Sequence, residues 1–79
     1  MYPVTIRFWA AARAAAGVET VVVDAASITE ALDRLDADPE LRRIVASSSI
    51  LIDGRRVADL DSPLTGPVEA EVLPPFAGG

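Results

Sequence analysis

Residues Val4 to Gly17 read VTIRFWAAARAAAG, and two periodicities meet in that stretch. Val4, Ile6 and Phe8 alternate with Thr5, Arg7 and Trp9, the period of two that marks a strand with one buried face. From Ala10 to Ala16 the composition switches to strong helix formers, and Gly17 offers a left-handed C-cap because it has no Cβ. The stretch therefore predicts a strand that runs directly into a short helix or helical turn.

Working outward, Glu19 to Asp24 holds three successive valines and predicts a second strand by β-branched enrichment. Ser27-Ile28-Thr29-Glu30 is a capping box, in which the Ser27 hydroxyl accepts from the Glu30 amide while the Glu30 side chain reaches back. Behind it, Ile28, Ala31, Leu32 and Leu35 form one apolar helical stripe. Asp38-Pro39 restarts the helical signal, with Asp38 as N-cap and Pro39 at the first helical position. Leu41, Ile44 and Val45 carry its apolar face to about Ala46. Ile50-Leu51-Ile52 reads as a short strand, Asp53-Gly54 as a hairpin turn needing positive φ, and Arg56-Val57-Ala58 as the return. Val68, Ala70 and Val72 alternate with Glu69, Glu71 and Leu73 as a last strand, which Pro74 ends.

No repeat or low-complexity linker divides the chain, so residues 1–79 are expected to form one α+β domain with a flexible C-terminal tail over 74–79. The helix stripe must bury against the apolar face of the sheet, because neither layer is stable alone. First and last strands paired at the centre, with one main helix laid across a mixed sheet, is the β-grasp arrangement. The segment pattern alone leaves it one of a few options.

Composition limits the chemistry. Hydrophobic residues make up 51% of the chain, enough for a core and unlike a disordered tail. No apolar run approaches the ~20 residues that span a bilayer and no leader pattern is present, so a soluble, cytoplasmic protein is expected. Without histidine there is no imidazole base or His-built zinc site, and without cysteine no thiolate and no side-chain persulfide. Without lysine there is no Schiff base, no P-loop lysine and no side-chain amine to which a modifier could be joined. The carboxylates Asp33, Asp36, Asp38 and Glu40 read as capping and solvated groups, and no metal site is expected. A net charge of −5 argues against nucleic acid or an anionic membrane as partner and suits a basic protein surface. A self-sufficient active site is not expected.

The last seven residues, Leu73-Pro74-Pro75-Phe76-Ala77-Gly78-Gly79, carry the functional signal. Glycine costs the most backbone entropy to order, so a Gly-Gly ending gains nothing as structure. It offers a thin, side-chain-free strip with one carboxylate at its tip, suited to a narrow tunnel in another protein. Pro74 and Pro75 stiffen the approach. A frayed terminus or an expression remnant is the plainer alternative.

Together, VTIRFWAAARAAAG (Val4 to Gly17) and LPPFAGG (Leu73 to Gly79) resemble the small, sulfur-carrying subunit of molybdopterin synthase, the MoaD family. The capping-box helix and Asp61-Ser62-Pro63-Leu64 also fit that pattern, so the resemblance covers almost the whole chain. It implies a ubiquitin-like β-grasp fold and a non-catalytic carrier subunit with no bound cofactor, whose working group is the Gly79 carboxylate. It further implies that an ATP-dependent activating enzyme of the E1 type adenylates Gly79, with ATP consumed by that partner. A sulfur donor protein then converts the end to a thiocarboxylate, and the large synthase subunit receives the sulfur on a pterin precursor. By position, Gly78 and Gly79 correspond to the threaded tip, and Phe76 and Ala77 lie between tip and stem. Arg13 matches an arginine facing the activating enzyme, and Trp9 with Leu73 matches an apolar patch used against both partners. Two positions depart from the pattern: Arg56 stands where an apolar residue is usual, and Gly66-Pro67-Val68-Glu69 replaces the usual turn with one extra residue.

Other readings stay open at this level. Trp9 is either an interface anchor or a residue lying under the Ala-rich helix, and Leu73 shares that ambiguity with the interface reading favoured. Phe76, beyond the last strand, suggests a partner pocket. Carriers for thiamine thiazole or cysteine synthesis and ubiquitin-like modifiers share a Gly-Gly end, and an interaction module with an inert tail is the third class.

Overall fold

The computed structural model describes residues 1–75; Phe76, Ala77, Gly78 and Gly79 lie outside the described residues. The elements run β1 (Tyr2–Phe8), α1 (Ala10–Ala16), β2 (Thr20–Ala25), α2 (Ile28–Asp33), α3 (Pro39–Ala46), β3 (Ser49–Ile52), β4 (Arg55–Arg56) and β5 (Val68–Leu73). The five strands form one mixed sheet in the order β2-β1-β5-β3-β4. The first and last strands are parallel neighbours at its centre, and every other pair is antiparallel. This is the ubiquitin-like β-grasp arrangement.

Alternation in the sequence sets the register. Ile6 lies opposite Val21 on one side and Ala70 on the other, while Phe8 lies opposite Val72, which in turn faces Ile50. A one-residue slip would turn each of these to the other face, so burial fixes the pairing. Val4, Ile6, Phe8, Ala70 and Val72 are all buried, and burying a side chain such as Phe8 contributes about 1.5–3 kcal/mol. Against this face sit the buried Ala12 of α1, Ile28 and Ala31 of α2, and Leu41 of α3, so the helical layer is shared among three short helices. α1 packs on β1, β5 and α3, and α2 on β2.

The local signals act as the sequence indicates, with three shifts. Gly17 adopts φ 75° and its N–H donates to the Arg13 carbonyl at 3.0 Å, closing α1. Asp38 Oδ1 accepts from the Leu41 amide at 2.9 Å with Pro39 at the first turn of α3. Ser27 Oγ accepts from the Glu30 amide at 3.1 Å, but the Glu30 carboxylate reaches one residue further back than a closed capping box, to the Ala26 amide at 3.0 Å. β2 runs Thr20–Ala25, one residue later than the valine run suggests. The return strand is Arg55–Arg56 instead of Arg56–Ala58, because Asp53 (φ 49°) and Gly54 (φ 83°) complete a two-residue turn and pairing resumes at Ile52 with Arg55.

The loop into β5 is pinned to the start of α2. Leu64 N–H donates to Ala26 O at 2.8 Å and Thr29 N–H to Leu60 O at 3.0 Å. The altered stretch Gly66–Glu69 still delivers β5, which begins within it at Val68 opposite Val4.

Candidate functional site

Parallel pairing of β1 with β5 has a geometric consequence: both strands end at the same edge of the sheet. The residue leaving β1 is Trp9, and the residues leaving β5 are Leu73, Pro74 and Pro75. Phe8 lies opposite Val72, so Trp9 and Leu73 follow side by side, and Trp9 N–H donates to Val72 O at 3.2 Å. Two parts of the chain separated by more than sixty residues thus converge where the tail begins.

Trp9 is the N-cap of α1, extended at φ −121° and ψ 153°, and its carbonyl accepts from the Ala12 and Arg13 amides. The residue is 41% exposed, so it lies at the surface and is not buried under the Ala-rich helix. The indole Nε1 donates to Glu71 Oε2 at 2.9 Å. Glu71 shares the open face of the sheet with Leu73, opposite the helices, as their alternation with the buried Ala70 and Val72 requires. The next residue, Ala10, takes φ 49°, a left-handed conformation unfavourable by roughly 1–2 kcal/mol for a residue with a Cβ. That strained corner turns the chain from β1 into α1.

Leu73 is half-buried, Pro74 is buried and Pro75 is exposed, so the described chain leaves the body at Pro75. Arg13, one turn into α1, is exposed and borders a shallow surface hollow with Ala10, Ala14 and Glu19. Trp9 thus lies at the junction of β1 and α1, Arg13 on α1 and Leu73 at the end of β5, with Pro74 and Pro75 following it. The remaining tail positions, Phe76, Ala77, Gly78 and Gly79, fall outside the described residues.

Glu71 was not singled out from the sequence, although it alternates in phase with Leu73; only the β1–β5 register reveals that it meets Trp9. Leu51 was also missed. It lies opposite Glu71 on one side and Arg56 on the other, adding a half-buried apolar residue to the open face. Arg56 is exposed and extends that row with a positive charge.

No family model and no curated protein sequence matches the chain. Solved structures do. Small archaeal modifier protein 1 from Methanosarcina acetivorans superposes with a TM-score of 0.84 at 26% identity, covering 100% of this chain and 98% of that one. Small archaeal modifier protein 1 from Haloferax volcanii gives 0.81 at 28% identity, covering 98% and 99%. A complex of subunits 1 and 2 of the molybdopterin-converting factor from Helicobacter pylori contains a chain that gives 0.74 at 22% identity, covering 98% and 99%; at that identity the likeness is one of fold. Fold and neighbours together define the class as a ubiquitin-like β-grasp protein. Within it, the chain's neighbours include small archaeal modifier proteins and subunit 1 of molybdopterin-converting factors, the second being the family that the end motifs resemble.

Proposed function

We propose that this protein is the sulfur-carrying small subunit of a molybdopterin synthase, loaded and unloaded at the carboxyl end of Gly79. The observation that carries the reading is the convergence of the exposed Trp9 with Leu73 and the Pro74-Pro75 stem at one end of the β1–β5 pair, directly before Phe76-Ala77-Gly78-Gly79. A partner that grips this end of the body through its apolar residues takes hold next to the point where residues 76–79 begin.

The chemistry fits the chain's composition. A terminal carboxyl has an ordinary pKa near ~3.5 and is a poorly electrophilic anion at neutral pH. The activating enzyme joins it to AMP and releases pyrophosphate. The outer sulfur of a donor persulfide then displaces AMP, and a thiol cleaves the resulting S–S bond to leave a thiocarboxylate on Gly79. In the large subunit, that sulfur passes to the pterin precursor. The chain needs no cysteine, histidine or lysine for any of this, and it has none. Its net charge of −5 favours encounter with basic partner surfaces. A large-subunit partner is also supported by the Helicobacter pylori neighbour, whose subunit 1 is seen in complex with subunit 2.

The test is an intact-mass measurement after incubation with an E1-type activating enzyme, ATP and a persulfide donor. One terminal oxygen is replaced by sulfur, and the loaded protein then converts a pterin precursor when the large subunit is added. An unchanged mass under conditions that load a known carrier removes the proposal.

A second reading is a ubiquitin-like modifier joined through Gly79 to target lysines. It is favoured by the two archaeal modifier neighbours, which give the higher identities and TM-scores of the three structures above. Conjugates on other proteins that survive reduction support this reading over the carrier.

A further inference from the structure

The strand β2 closes one side of the sheet, and its outer edge carries backbone groups with no partner among the described residues. The ladder to β1 shows which groups these are. Phe8 N–H donates to Glu19 O at 2.9 Å, so the hydrogen-bonded pairs are those containing odd-numbered β2 residues, such as Val21 with Ile6. The N–H and C=O of Thr20, Val22 and Asp24 therefore point outward. The Asp24 carbonyl is already occupied, because Arg34 Nη1 donates to it at 3.0 Å. Thr20 and Val22 retain two donors and two acceptors on the open edge.

We propose that this edge is an interface with a second copy of the same chain, formed by antiparallel pairing of β2 with β2 about a two-fold axis at Val21. That register sets Thr20 of each copy opposite Val22 of the other; each of the two pairs exchanges two backbone hydrogen bonds, so the four groups of each copy make four bonds in all. It leaves the Arg34–Asp24 contact undisturbed, which a register centred on Val22 does not, since it would require the Asp24 carbonyl. The side chains agree with it. Val22 is 63% exposed, and pairing covers it with the second copy's Thr20, a β-branched pair suited to adjacent strands.

Charge does not oppose this register. Glu19 of one copy, already paired with Arg7 of its own chain at 3.5 Å, falls opposite the uncharged Val23 of the other. Asp24 falls opposite Val18 and no two carboxylates face each other. The strand also lacks the devices that usually protect an edge: it has no proline and no lysine, and its middle is three valines. The two-fold axis lies on the far side of β1 from β5, so the tail of each copy remains available to other partners.

The experiment uses the full chain in buffer salty enough to screen the net charge. Sedimentation equilibrium is expected to show a weight-average mass rising from 8.3 kDa towards twice that value as protein approaches millimolar concentration. Val22→Pro removes one outward N–H per copy without touching the β1 ladder, and is expected to weaken dimerisation about ten- to a hundredfold. The register is read independently by introduced cysteines, which are unambiguous in a chain that has none. Val21→Cys, on the axis in a non-hydrogen-bonded pair, forms an intermolecular disulfide on mild oxidation, whereas Thr20→Cys does so far more slowly. A monomer at every concentration overturns the proposal. So does a dimer unaffected by Val22→Pro, or equal crosslinking at the two cysteine positions.

Discussion

The indole N–H of Trp9 donates to Oε2 of Glu71 at 2.9 Å, tying the residue that leaves β1 to the strand that leads into the tail. The bond holds an exposed tryptophan in one orientation, and a side chain ordered in advance loses less entropy when a partner covers it. On the proposed function, Trp9→Ala should therefore weaken binding to the large subunit or the activating enzyme by about 2 kcal/mol, roughly thirtyfold, as the loss of an interface tryptophan does. Its thermal midpoint should stay close to that of the parent. Glu71→Ala should produce a smaller loss in the same direction. Calorimetric titration beside a melting curve separates the effects; extensive unfolding of Trp9→Ala with normal binding would contradict the assignment.

The opposite behaviour is expected one residue earlier. Phe8 is 1% exposed, packed on the helix side of the sheet. Phe8→Ala removes a buried ring and leaves a cavity, costing about 3–5 kcal/mol. A domain of this size has about 4–12 kcal/mol in total, so the variant should be partly or wholly unfolded in mild urea. A midpoint shifted by only a small fraction of this would mean that the core is not organised around β1.

The contrast between Phe8 and Trp9 shows what the sequence could reveal. Alternation alone put Phe8 with Val4 and Ile6, and it equally put Trp9 on the other side. It could not say whether that side was covered, because coverage depends on where the chain turns after Trp9. The turn occurs at Ala10, whose positive φ no residue preference would have signalled. Capping chemistry was legible because Ser27, Asp38 and Gly17 act on neighbours within four residues. The Trp9–Glu71 bond was not, since it needs the β1–β5 register, a relationship between the two ends of the chain. Arg55 escaped the predicted return strand for a related reason: the length of a turn is set by φ at Asp53 and Gly54, and sequence gives only their tolerance for it. The tail signal, by contrast, is one of residue type and position, and it is read from Leu73 to Gly79 directly.

Asp59 gives a pH prediction. Its carboxylate accepts from the Ser62 hydroxyl at 2.8 Å and from the Asp61 amide at 3.0 Å, and these bonds, the hydroxyl first, hold its pKa below the ordinary 3.8. The folded value lies below the unfolded one, so the stabilisation from this turn is fully present above pH 3.8 and is lost as pH falls through the folded pKa. Carboxyl-carbon NMR should find the Asp59 midpoint below 3.8, and Ser62→Ala should move it upward. An Asp59 midpoint indifferent to Ser62→Ala would show that the hydroxyl is not the dominant cause.

Gly17 ends α1 at φ 75°, and a Cβ placed there meets nothing within 4 Å. Any cost of Gly17→Ala is therefore one of backbone conformation and not of space. It should be about 1–2 kcal/mol, measured by urea denaturation. Gly17→Asn should cost less, since asparagine tolerates the left-handed region better than alanine. Equal losses for both would mean that helix α1 ends by some means other than this residue's conformation.

The tail can be tested by length alone. If the carboxyl carbon of Gly79 is the reacting atom, its position is measured from the stem that leaves the body at Pro75. Adding or removing one residue moves that carbon by about 3.5 Å along an extended chain. Displacements of about 1 Å from a reactive geometry already cost on the order of a hundredfold. Deleting Gly79, or appending one further glycine, should therefore cut sulfur delivery to the pterin precursor by at least that factor. Both variants keep the contacts that residues 1–75 make among themselves, so their melting curves should match the parent. Appending glycine also keeps a side-chain-free tip and a free carboxylate, which separates position from chemistry. A one-residue extension that delivers sulfur at the parent rate would show that the chain end is not what the large subunit works on.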